Sequence, residues 1–168
     1  MDKKYLSVLV DNHEGVLARV ASLFCQRGFN IDSLTVSATD NENISRITIA
    51  TRGDEAAFRQ ILRQTEKLYE TKAIVALEVR NSILRELLLI KVEANEENRR
   101  SLRDITEVYK AKIVDLSLSS MVFELTGEPD KIDGFLSVLR PYKILEMCRT
   151  GVTALERGEV SYKWKEEL

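Results

Sequence analysis

The sequence predicts an α+β protein made of two tandem βαββαβ units, and three observations lead there. Short β-rich apolar runs alternate with stretches of helical spacing. The same order of elements returns about 80 residues later. A Gly-acid pair, Gly53-Asp54 and Gly127-Glu128, stands at one matching place in each copy. A chain of 168 residues has room for two such units.

In the first copy Tyr5–Val10 is a Val/Leu-rich run closed by Asp11-Asn12, hence a strand. From Gly15 the period changes: Val16, Leu17, Val20, Leu23 and Phe24 fall on one face of a helix. Gly28 supplies the left-handed residue that ends it. Ile31, Leu34 and Val36 lie in a second extended run, followed by the polar turn Asp40-Asn41-Glu42-Asn43. Ile44–Thr51 alternates as a half-buried strand does. Phe58, Ile61, Leu62, Thr65, Leu68 and Tyr69 follow helical spacing, and Ile74–Val79 is the closing strand.

The second copy opens with the strand Leu87–Val92. Asn95 followed by Glu96 and Glu97 is a helix start, with acids near the positive end of the dipole. Leu102, Ile105 and Tyr109 mark that helix's apolar face, and Ile113–Leu118 and Met121–Thr126 read as strands. Pro129 suits the first turn of a helix through Ile132, Phe135, Leu136 and Leu139; Lys143–Cys148 is the last strand. Each copy is a split βαβ (ferredoxin-like) unit, an antiparallel sheet with both helices on one face. The expected domains are 1–80 and 81–158, with 159–168 a loosely held tail. In the usual strand order the second strand, Asn30–Ala38, is an edge. It carries one charge, Asp32, and no Pro, so pairing with a second chain in a homodimer is expected.

Composition narrows the function. The chain has 25 Lys+Arg against 27 Asp+Glu, and the split after Arg80 is 11 against 11, then 14 against 16. Neither half has the concentrated positive face that phosphate contacts need, so no nucleic-acid partner is expected. The longest unbroken apolar run, Leu87–Ile90, is far short of the roughly 20 residues of a membrane span, and the stretch before Asp11 is too short for a secretory signal. Cys25 and Cys148 lack CxxC spacing and fit a reducing cytoplasm.

Catalytic constellations are missing. His13 is the only histidine, no metal-ligand spacing occurs, and the seven glycines form no phosphate loop. Glu96/Glu97 and Glu166/Glu167 read as solvated charge runs, and Cys25 as a small core residue beside the helix stripe. Trp164 is a partner contact or an exposed aromatic; the sequence does not decide.

One loop has ligand chemistry. Asp11-Asn12-His13-Glu14-Gly15 joins a strand to a helix N-terminus, whose unpaired N–H groups attract an anion. Gly15 permits close approach, Asn12 offers both donor and acceptor to a zwitterion, and Val16 and Leu17 are candidates for an apolar wall. Asn30 has the same two-way capacity near the edge strand. The plainer reading has Asn12 capping the helix, Gly15 easing a turn and Asn30 starting a strand.

The segment Ser7–Val20, then Phe24 and Gln26–Val36, resembles the start of the acetolactate synthase (acetohydroxyacid synthase) small subunit. Ser45-Arg46, Arg85-Glu86-Leu87, Lys131–Leu136 and Arg149-Thr150-Gly151-Val152 extend the likeness over roughly residues 3–158, and the first half resembles an amino-acid-sensing ACT domain. The resemblance implies a non-catalytic regulatory subunit. Its partner would be a large subunit that holds thiamine diphosphate and magnesium and makes acetolactate from pyruvate; this chain would hold no cofactor. It also implies activation of that subunit and feedback inhibition by valine or another branched-chain amino acid, bound between two ACT domains. The implied positions are Asn12, Gly15 and Leu17, with Asn30 and Ile31 at the second strand. Many relatives have Pro where this chain has Glu14, which leaves its loop less rigid.

Three other readings are weighed against this one. An RNA-recognition domain shares the element order, but Ile44–Thr51 has no aromatic to stack a base and Met121–Thr126 only Phe123. A free-standing enzyme lacks an acid–base constellation. A stand-alone ACT sensor of another enzyme is the third.

Overall fold

The computed structural model describes residues 3–159. Of the expected tail 159–168, residues 160–168, with Trp164, lie outside the described residues.

The first unit is β1 (Lys3–Asp11), α1 (Val16–Gln26), β2 (Ile31–Ala38), β3 (Ile44–Arg52), α2 (Glu55–Glu66) and β4 (Thr71–Leu77), in sheet order β2-β3-β1-β4. All its pairings are antiparallel, with Leu6 opposite Ile49, Val8 opposite Ile47 and Leu34 opposite Ile49. Leu6, Val8 and Val10 of β1 and Ile47 and Ile49 of β3 form the sheet side of the core; Val16, Val20 and Phe24 of α1 and Phe58 and Ile61 of α2 form the helix side. The i, i+4, i+8 spacing of the α1 residues makes that stripe. Cys25, one position past Phe24, turns off it and is exposed, so it is not a core residue. Asp54 caps α2 by accepting the Ala57 N–H at 2.7 Å. Tyr69 lies beyond the end of α2 and is exposed. β3 is not half-buried: Ser45, Thr48 and Thr51 are buried along with its apolar residues, because both sides of this strand are covered.

A 3₁₀ turn, Val79–Asn81, leads into β5 (Ser82–Glu93), followed by α3 (Arg99–Tyr109), β6 (Lys112–Leu116), β7 (Ser120–Gly127), α4 (Pro129–Leu139) and β8 (Ile144–Arg149). The strand order β6-β7-β5-β8 repeats that of the first sheet. The core joins Leu88, Ile90 and Val92 to Met121, Phe123 and Leu125, under Leu102, Ile132, Phe135 and Leu139. Phe123 meets Phe135 edge-on at 6.3 Å. Asn95 starts the α3 segment from a distance: its Oδ1 accepts the N–H groups of Glu97 and Asn98, and its carbonyl accepts that of Arg99. Arg149 spans Glu86 of β5 and Asp133 of α4, donating to each at 2.6 Å. Burial disfavours its charge, but the bonds it donates to Asp133 and Glu86 outweigh that and hold the guanidinium above its ordinary pKa.

By packing, residues 3–83 and 151–159 make one unit and 84–150 the other. Residues 151–158, which the repeat assigns to the second domain, therefore belong with the first. β9 (Thr153–Glu156), absent from the sequence reading, pairs with β5 and lies beside β4, and Arg157 N–H donates to Asn81 O at 2.7 Å. Gly151 sits so close to β2 that a Cβ on it would stand 2.5 Å from Thr35 Oγ1 and 3.2 Å from the Leu34 backbone. Among the described residues no helix is long and apolar enough to cross a membrane, and no group of three or more His, Cys, Asp or Glu could hold a metal.

Candidate effector site

β1 delivers the chain to the loop 12–15, which is held from both sides. Asp11 N–H donates to Glu70 O at 2.9 Å, and Lys72 pairs with the Asp11 carboxylate at 3.2 Å. Asn12 N–H donates to Asn43 O and its Nδ2 to Glu42 O, both at 2.7 Å. Asn12 is thus no helix cap. Its amide hydrogens fasten the loop to the β2–β3 turn, and its Oδ1 remains an acceptor with no donor among the described residues.

Gly15 opens α1 with φ +85° and ψ −16°, and no side chain caps the helix. The first intrahelical bond runs from Arg19 N–H to Gly15 O at 3.0 Å, so the N–H groups of Val16, Leu17 and Ala18 have no helical acceptor. The first turn contains no acidic residue, and a Cβ at Gly15 would meet nothing within 4 Å. This end of α1 therefore combines positive dipole, free donors and open space. Val16 packs into the core and supports the turn from below; Leu17, 44% exposed, is the apolar side chain presented at the surface. Arg19, one turn in, pairs with the buried carboxylate of Glu70, which anchors the helix start to the approach to β4.

Asn30 and Ile31 lie elsewhere. Past α1, Gly28 takes φ +70° and Phe29 N–H closes back on Phe24 O. Asn30 is exposed; its Nδ2 donates to Asp32 Oδ1 at 3.3 Å and its carbonyl accepts from Thr51 Oγ1 at 2.7 Å. Ile31 is half-buried against the core. Ile31 and Lys4 both stand opposite Thr51, whereas Asp11 stands opposite Ile44. Seven residues of β1 separate these levels, about 23 Å at ~3.3 Å per residue. One chain does not bring Asn12 and Asn30 together.

Glu42, Asn43, Glu70 and Arg19 were not singled out by the sequence. Their part is played by three backbone carbonyls and one long-range ion pair, for which residue spacing gives no signal.

Residues 85–158 match the family model "Small subunit of acetolactate synthase", and residues 6–73 the model "AHAS small subunit-like ACT domain". The chain is 44% identical over 156 residues to a probable acetolactate synthase small subunit of Archaeoglobus fulgidus, covering 93% of this chain and 98% of that one. It is 45% identical to the acetolactate synthase small subunit of Mycolicibacterium smegmatis, covering 91% and 90%. The crystal structure of the Thermotoga maritima acetolactate synthase small subunit superposes with a TM-score of 0.86 at 34% identity, covering 95% of this chain and 100% of that chain.

Proposed function

The chain belongs to the acetolactate synthase small-subunit family, and from that premise we propose that it raises the activity of a large catalytic subunit and transmits feedback inhibition by valine. It is a regulatory subunit, and the chemistry lies on the large subunit, with thiamine diphosphate and magnesium. The cytoplasm is the compartment of this partnership. Overall identity above 40% in alignments that span both halves carries the reading, since a stand-alone ACT sensor would need only the first.

In this reading the effector-sensing domain is the first unit, residues 3–83 with 151–159 packed onto it, and 84–150 are the second domain. Valine's carboxylate meets the open start of α1 at Gly15, its side chain Leu17, and its ammonium the Asn12 Oδ1. Edge geometry supports a homodimeric site. β2 is an edge strand, and two copies of it paired antiparallel bring the Asn30–Ile31 end of one level with the Ala38 end, and so with the Asn12 loop, of the other. A two-fold axis makes the site twice. Reconstitution with the cognate large subunit, following acetolactate formation across a valine titration, tests the proposal. The expected result is stimulation by the added chain, then loss of rate with valine; no stimulation would overturn it.

A further inference from the structure

Glu70 stands just before β4 and holds both arms of the loop 12–15. Its carbonyl accepts the Asp11 N–H at 2.9 Å, one step beyond the Val10–Thr71 pair of the β1–β4 ladder. Its carboxylate, on a residue only 4% exposed, pairs with the Arg19 guanidinium of α1. The register shifts between the Leu9–Ala73 and Val10–Thr71 pairs, so Lys72 is the extra residue of a bulge, and it reaches the Asp11 carboxylate at 3.2 Å. The turn that carries Glu70 is itself tied down: Thr71 donates its N–H to Leu68 O at 3.0 Å and its hydroxyl to Thr65 O at 2.8 Å. The strand arm of the loop is thus fixed by a backbone bond and a lysine. The helix arm has no cap at Gly15 and, core packing apart, is fixed by the Arg19–Glu70 pair.

We propose that Glu70 is a positioning residue for the effector: through Arg19 it sets the first turn of α1 where its free N–H groups converge on a carboxylate. The inference rests on the valine reading above. Helix side chains lean toward the N-terminus, so Arg19 overlies the turn that Gly15 begins. A guanidinium there would be a direct ligand for the effector if it were free. It is not free, because it answers a buried carboxylate that pairs with no other cation among the described residues. The pair therefore acts on the effector through the place it gives the helix start, as a supporting shell does for the groups that touch a ligand. Charge alone and placement predict opposite signs. Removing an anion from beside a carboxylate site tightens binding if only charge matters, and weakens it if the helix start loses its place.

The test uses the full chain, with valine binding followed by calorimetry and stability by denaturant melts. Glu70→Met fills the buried space and keeps the carbonyl bond to Asp11. An apolar isostere in a buried ionic position is often neutral or stabilising, so affinity can fall while stability is kept. Glu70→Met should bind valine at least about tenfold more weakly than the parent, although it removes a negative charge. Arg19→Lys keeps the ion pair and should stay within about threefold of the parent. Arg19→Met should weaken binding too, and Glu70→Met/Arg19→Met should be no weaker than the weaker single variant, since residues that act through one another do not add. Glu70→Gln, the gentler change, should also weaken binding and keeps the sign decisive should Glu70→Met misfold. Affinity unchanged or tighter in the folded Glu70 variants overturns the proposal, as does a double variant in which the two losses add. A parent chain that binds no valine overturns the effector reading itself, and this proposal with it.

Discussion

The carboxamide of Asn12 donates a 2.7 Å hydrogen bond to the carbonyl of Glu42, so the effector loop is fastened to the β2–β3 turn and not to the helix it precedes. Replacing Asn12 by Ala removes that bond, about 0.5–1.5 kcal/mol of stability, together with the proposed ligand acceptor. Asn30→Ala removes only a 3.3 Å contact with Asp32 and is the cleaner probe. Both should lower valine affinity at least tenfold, about 1.4 kcal/mol, and Asn30→Ala should abolish valine-dependent tightening of the dimer. Calorimetry alongside unfolding curves separates the two effects. Unchanged affinity in both variants would mean that the site lies elsewhere.

Gly15 carries the second prediction. A side chain there meets open space within the chain but is forced into the left-handed region, which costs about 1–2 kcal/mol. Gly15→Val should weaken valine inhibition by crowding the carboxylate, and activation of the large subunit should survive. Loss of both responses in a folded protein would place the large subunit on this loop.

Gly151 is required for a different reason, steric approach. Gly151→Ala puts a methyl group 2.5 Å from Thr35 Oγ1 and should destabilise the chain by about 1–3 kcal/mol. Thr35→Ala in the same chain should recover only part of that, because the Leu34 backbone still stands 3.2 Å away. Full recovery in denaturant melts would show that the hydroxyl alone sets the limit.

Most of this architecture could be read from residue order, because each element's signal is local. The α1 stripe of Val16, Val20 and Phe24, the Pro129 start of α4 and the Gly28 stop each act within a few residues. What escaped was non-local. β9 is four residues long and owes its place to neighbours distant in sequence, and Gly151 shows its constraint only once Leu34 and Thr35 are beside it. Cys25 was misplaced because one step along a helix, ~100°, separates a core position from an exposed one. For the candidate site the sequence proposes the helix start and both asparagines. It could not show that they lie at opposite ends of one sheet, since that follows from register.

Arg149 offers a test of the second unit. Glu86 is buried and answered by Arg149, so Arg149→Met leaves a carboxylate without its cation. The expected loss is about 3–5 kcal/mol in chemical unfolding. Glu86→Gln/Arg149→Met should be milder than the single change, and an equal loss in both would show that the charge is unimportant.

Acid should act at Glu55. Its hydrogen bond from Lys4, and then that lysine's charge, hold its pKa below the ordinary 4.5. A depressed carboxylate stabilises the fold above its unfolded value, and the benefit disappears as pH falls below about 4.5 through the folded value. Glu55→Gln should flatten that limb of the stability curve slightly, and salt should mute the difference. An unchanged acid limb in Glu55→Gln at low salt would rule the pair out as a contributor.

The first unit is assembled from two stretches of chain, with residues 84–150 lying between them in sequence. On a ribosome, which releases the chain from its N-terminus, the complete second unit has been synthesised before Gly151 exists. The first unit must wait for its last part, with β2 still lacking the glycine that packs against it. A chain stalled just short of residue 151 would therefore contain a finished later unit and an unfinished earlier one, the reverse of the order in which they were made.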